Sequence, residues 1–123
     1  MTIAGFRDWL ATQVTGTIFP EMIDENLSQC MGVYRRDTGM KPQAYDSNTT
    51  YDVRYYKVIV HWTNNIKTAE SKADEVASKL NNVTVTIGGK QNIIQLERQP
   101  VMIGRTDRQI WQYVVLCQVL EEL

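Results

Sequence analysis

The stretch Tyr51 to Trp62 reads YDVRYYKVIVHW, and the side on which each of its residues lies decides the fold. In an extended chain successive side chains point to opposite faces. Arg54, Tyr56, Val58, Val60 and Trp62 therefore share one face, and Val53, Tyr55, Lys57, Ile59 and His61 share the other. The centre, Val58-Ile59-Val60, is apolar on both faces. A strand of that kind belongs inside a sheet and is covered at least partly on each side. It also carries the chain's only histidine. Whether His61 belongs to a reactive site or to packing is thus the first chemical question.

Working outward, the final strand signal, Ile110 to Leu120, has the same double character. Trp111, Tyr113, Val115, Cys117 and Val119 line one face, and Ile110, Val114, Leu116 and Leu120 line the other, interrupted by Gln112 and Gln118. Cys30 to Arg36 and Val83 to Ile87 read as further strands, the latter alternating cleanly. Gly88-Gly89 makes a hairpin turn. The run from Asn92 to Ile103 is strand-like but interrupted by Pro100, which places it at an edge or a bulge. Two helices are predicted. Ile3, Phe6, Leu10 and Val14 recur at helical spacing behind Thr2 as N-cap, with Gly16 and Pro20 as stops. Ile66, Ala69, Ala73, Val76, Ala77 and Leu80 form the second stripe, with Lys67, Glu70, Lys72, Asp74, Glu75 and Lys79 solvated and Glu75 paired with Lys79.

The segment from Pro20 to Gln29 reads as a polar connection. The segment between Arg36 and Tyr51, rich in Gly, Pro, Asp, Asn and Thr, reads as a loop longer than a compact domain needs, the length at which loops take on function. The order is α-β-β-α-β-β-β, an α+β fold with a mostly antiparallel sheet, and residues 1–123 make a single domain. If both helices lie on one face, the other keeps bare apolar patches, and such patches mark association surfaces.

Composition narrows the function classes. The 123 residues carry 13 basic and 14 acidic side chains, a net charge of −1. A dedicated nucleic-acid binder needs a basic face that this balance does not announce. No apolar run approaches the roughly 20 residues that span a bilayer, and the first ten residues show no signal-peptide pattern. No membrane contact is expected. Cys30 and Cys117 are read as buried free thiols.

The search for reactive chemistry returns little. His61 has no companions at metal-ligand spacing and no serine or cysteine on a sharp turn. The glycines before Lys90 do not make a phosphate loop. Asp24-Glu25 has no fixed geometry for acid–base work, and Arg105, Asp107 and Arg108 read as a solvated turn. The tyrosines from Tyr51 to Tyr56 are sheet residues before they are a base-stacking surface. No catalytic residue, cofactor or metal is therefore expected.

QCMGVYRRD (29–37), YYKVIVHWTNNIKTAESKADEVASKL (55–80) and PVMIGRTDRQIWQYVVLCQV (100–119), taken in order with the leading GFRDWLATQV (5–14), carry a resemblance. They resemble the tail-terminator or minor capsid proteins of siphophage-type viruses and prophages. HWTNN (61–65) is the most specific piece; Arg105 and Gln112 depart from the pattern. The resemblance implies a structural, non-enzymatic virion protein at the head-proximal end of the tail. It implies a ring-shaped homo-oligomer, hexameric in such tails, that caps the tail tube and stops its polymerisation. Its partners would be further copies of itself, the tail-tube protein and a head-completion or connector protein, with DNA only in transit through the lumen. Alternatives are a head–tail joining or tail-completion protein, or, from another class, a small ligand-binding module or enzyme.

On this reading Arg35, Arg36, Met40, Tyr45, Tyr51, Ile59 and His61 are the candidate subunit-contact positions. Deleting the loop between Arg36 and Tyr51 is expected to impair assembly, read by particle size, while circular dichroism shows the fold retained.

Overall fold

The computed structural model describes residues 1–36 and 51–122. The long loop, and with it Met40 and Tyr45, lies outside the described residues.

The centre is the strand that the alternation singled out. β3 (Tyr51–Trp62) pairs antiparallel with β7 (Trp111–Glu122), from Tyr51 opposite Glu122 to His61 opposite Gln112. On its other side β3 pairs antiparallel with β2 (Gln29–Arg35), which in turn takes the short β1 (Ile18–Pro20) as a parallel neighbour. Beyond β7 the sheet divides. β5 (Lys90–Leu96) pairs with the Cys117–Glu121 end, and β4 (Val83–Ile87) pairs with β5 through the Gly88-Gly89 turn. β6 (Val101–Arg105) pairs with the Trp111–Val114 end of the same strand. Both glycines of the turn have positive φ, 61° and 78°, which is what a tight two-residue hairpin demands.

α1 (Ile3–Ala11) and α2 (Ile66–Lys79) start where their caps dictate. Thr2 accepts from the Gly5 amide at 3.0 Å, and Asn65 accepts from the Lys67 and Thr68 amides at 3.0 and 3.2 Å. Each cap satisfies amides that the first helical turn leaves without partners. α1 packs on β1 and β2, and α2 on β3 and β7. Both helices thus cover the same side of the sheet. Their stripes meet Met31, Val33, Tyr56, Val58, Val60, Trp62, Ile94, Tyr113, Val115, Cys117 and Val119 in one core. Phe6 stacks on Tyr56 with centroids 4.7 Å apart, and the alanines of α2 bring its backbone close to the strands.

The α+β class, the two helices and the order of elements are as the sequence implies, with two strands added. β1 was hidden in what reads as a helix stop and a connection, and the run broken by Pro100 is two separate strands. Two side chains on α2, and one ion pair, also depart from expectation. Ile66 is 41% exposed, because it occupies the first helical position and points past the sheet. Lys72 is buried: its stem lies under α2 and its ammonium rests 4.7 Å from the Trp62 ring while reaching Glu75 at 2.9 Å. Long cationic chains can cover apolar surface in this way and still find a charge partner. The helical pair is therefore Lys72–Glu75.

Phe6→Ala should cost about 3–5 kcal/mol through loss of a fully buried ring, whereas Ile66→Ala should change stability by about 0.5 kcal/mol or less. Urea unfolding of both variants checks the assignment of core and surface.

Candidate functional site

The second face of the sheet carries Cys30, Gly32 and Tyr34 from β2, Val53 to His61 at alternate positions of β3, and Gln112 to Leu120 at alternate positions of β7. Neither helix reaches it. One corner is closed by the chain itself. After β1 the segment 21–28 turns back across β2. The Glu21 amide donates to the Val33 carbonyl at 2.7 Å, and the Thr63 amide donates to the Ser28 carbonyl at 2.7 Å. Between those anchors the Met22 carbonyl passes so close to Gly32 that a Cβ there would lie 2.3 Å from it. Only glycine admits that approach.

His61 holds the far end of this segment. It is fully buried. Its Nε2 lies 2.8 Å from the Leu27 carbonyl oxygen and its Nδ1 2.9 Å from Gln112 Nε2. A carbonyl can only accept, so Nε2 carries the proton and Nδ1 accepts from the Gln112 amide. Both ring nitrogens are occupied in tying β3, β7 and the 21–28 segment together. His61 lies on the face of the sheet opposite the helices, and its own chain covers it there. The polar composition of residues 20–29 concealed that cover.

Cys30 stands opposite His61 in the β2–β3 register, a proximity that linear spacing does not show. Its thiol, 3.6 Å from the Asp24 carbonyl, is pushed up by burial. Cys117, on the helix-covered face, is pushed up by burial to about 12. Both thiols are free and stay protonated near neutral pH, a poor state for nucleophilic attack. Among the described residues no group of three His, Cys, Asp or Glu side chains is arranged to hold a metal ion.

The remaining candidate positions separate cleanly. Arg36 is engaged within the chain, donating to the Tyr56 and Cys117 carbonyls at 3.2 and 2.8 Å and to the Glu97 carboxylate. Its guanidinium ties together β3, β7 and the residue after β5 within the chain. Arg35 is exposed and pairs with Glu21 at 3.2 Å. Tyr51 and Ile59 are half-buried.

Ile59 belongs to a larger surface. Gly32, Ile59, Val114 and Val101 form one row across β2, β3, β7 and β6. Val53, Leu116, Leu120 and Ile93 extend the same face, each half-buried. At its border β6 exposes Val101, Met102 and Ile103 at 40, 47 and 52%. The opposite border of the sheet is blunted. Arg7 Nε donates to the Ile18 carbonyl at 2.9 Å, and Pro20 has no amide to offer. Sequence reading missed the exposure of β6, although Val101-Met102-Ile103 directly after Pro100 was its available signal. The 21–28 segment also carries Glu25 to the β6–β7 turn, where it lines a shallow polar cleft with Thr106, Asp107 and Arg108.

Residues 9–120 match the sequence profile of the bacteriophage tail terminator protein family, and the chain belongs to that family. It is a phage tail structural protein. No curated protein matches the sequence. One solved structure aligns over 98% of this chain and 89% of its own, at 13% identity and a TM-score of 0.48. No helix among the described residues is long and apolar enough to cross a membrane.

His61→Ala should destabilise the protein by about 1–3 kcal/mol, since the Leu27 carbonyl and the Gln112 amide lose their buried partner; thermal unfolding reads the loss. The pH dependence has a definite sign. Burial raises Cys117 from 9.0 to about 12 and Tyr56 from 10.0 to about 12. The folded state then holds protons that the unfolded chain has released, so stability is intact below pH 9 and falls as pH climbs toward 12. Cys117→Val should remove the earlier part of that decline in urea titrations at stepped pH.

Proposed function

We propose that this chain is a working tail terminator that functions as one domain and closes into a ring, with six copies the expected number. The ring sits at the head-proximal end of the tail in the virion. One of its faces caps the last ring of tail-tube protein and halts polymerisation. The other receives the head-completion or connector protein, and DNA crosses the lumen in transit. Family membership supports the tail role. The observation that carries the ring is the half-exposed apolar face of β3 and β7, running from Ile59 and Val114 to Val53 and Leu120. Both helices lie on the opposite face, and among the described residues only the segment 21–28 crosses this one. Head-to-tail contacts between copies cover such surface, and they close into a ring when the rotation permits.

Light scattering coupled to size exclusion, with negative-stain images of the same fractions, is expected to show a closed ring of uniform mass. Added to polymerising tail-tube protein, the ring should shorten the tubes and appear at one end of each. A protein that stays monomeric at every concentration, alone and with tail-tube protein, would remove this reading.

A further inference from the structure

Among the described residues six large apolar side chains are exposed, and five of them fall on two patches of opposite charge. One patch is the β6 edge: Val101, Met102 and Ile103 lie between Arg98 and Arg105, with Arg108 and a single acid, Asp107, in the following turn. The other is the segment over β2. It exposes Met22 and Leu27 at 47 and 37%, carries Asp24 and Glu25 beside Glu21, which is paired with Arg35, and has no basic residue between 21 and 28. In the sheet, β2 and β6 stand three strand spacings apart, about 14 Å, and the segment over β2 crosses that distance to reach the β6–β7 turn, so the two patches adjoin at one corner of the face. Glu25 and Arg108 share the shallow cleft, and among the described residues no ion pair joins them.

We infer that the β6 edge of one copy docks on the 21–28 segment of the next, and that this is the contact through which the ring grows. The inference rests on the ring reading and names its interface. Charge selects the occupant. The β6 patch set against its own copy would place arginines against arginines, and the 21–28 patch against itself would place acids against acids. Each is complementary to the other, so copies meet with unlike patches in contact, as successive copies around a ring can. β6 supplies a second element of recognition, since its outer edge has backbone groups that no described strand pairs and three successive apolar side chains beside them. The 21–28 segment can act as a rigid counterpart because Gly32, His61 and Thr63 hold it to the sheet.

The test is charge reversal. Glu25→Arg and Arg105→Glu alter exposed side chains and should leave circular dichroism and thermal unfolding close to those of the parent chain. Each alone should weaken ring formation by about tenfold or more, because a like charge then sits in the contact. The double variant in one chain restores opposite signs at every contact and should regain the ring. Ile103→Asp should abolish the ring whatever the charges. Raising ionic strength should weaken the parent ring.

If the parent chain forms rings and both single reversals form them equally well, this interface is wrong and the ring stands. Rings that persist in both singles but no longer cap tail tubes would assign the patches to the tube protein and overturn docking between copies. A double variant that stays as impaired as the singles would also overturn it. A parent chain that never associates overturns this inference and the ring together.

Discussion

The ladder between β3 and β7 is the constraint from which the rest of the molecule follows. Two strands of 12 residues each run antiparallel along nearly their full length, and each carries apolar side chains toward both faces. Such a pair must sit at the middle of a sheet and must be covered twice. α1 and α2 supply one cover, closely fitted through alanines and the Phe6–Tyr56 stack. The helices are too few for a second. The described residues meet the second demand only in part, by laying the segment 21–28 across β2 and fastening it at Gly32 and His61.

What remains is a matter of magnitude. Burying an aliphatic side chain fully is worth about 1.5–3 kcal/mol, and Ile59, Val114, Leu116, Leu120, Val53 and Ile93 each realise only a part of that within one chain. The unrealised part is a driving force for association that needs no charge and no cofactor. Because binding the folded form alone stabilises it, a protein built this way gains stability when its face is covered. Fold stability and assembly are then linked quantities.

Much of this was legible from periodicity alone, and the misses have physical reasons. β3, β7 and both helices repeat over enough residues for alternation or helical spacing to be unmistakable, and Thr2 marks the start of the first helix. β1 is three residues ending in proline, too short to show a period and disguised by a stop signal. Lys72 was read by its charge, whereas its long stem let it cover Trp62 and reach Glu75. The cover over His61 comes from a polar segment that composition alone reads as a connection. One clue was present: a glycine at position 32, inside an otherwise apolar strand, marks a place where another backbone passes close. The exposure of β6 could not follow from pattern, because nothing in an apolar triplet says that the sheet divides beside it.

The segment 21–28 joins the two halves of the molecule's behaviour. Its inner side completes the fold: the Met22 carbonyl lies on Gly32, the Leu27 carbonyl receives the His61 proton, and the Ser28 carbonyl receives the Thr63 amide. Its outer side presents Met22, Leu27, Asp24 and Glu25. Its shape is therefore set by groups that no partner would touch. A change at Gly32 or Gln112 that loosens the inner side also blurs the outer one, since ordering the segment at the moment of contact would cost the association its entropy. Residues buried beneath the sheet's second face thus help to set the shape of the surface above them, and in the proposed assembly His61 would act by position, holding that segment, and not by chemistry.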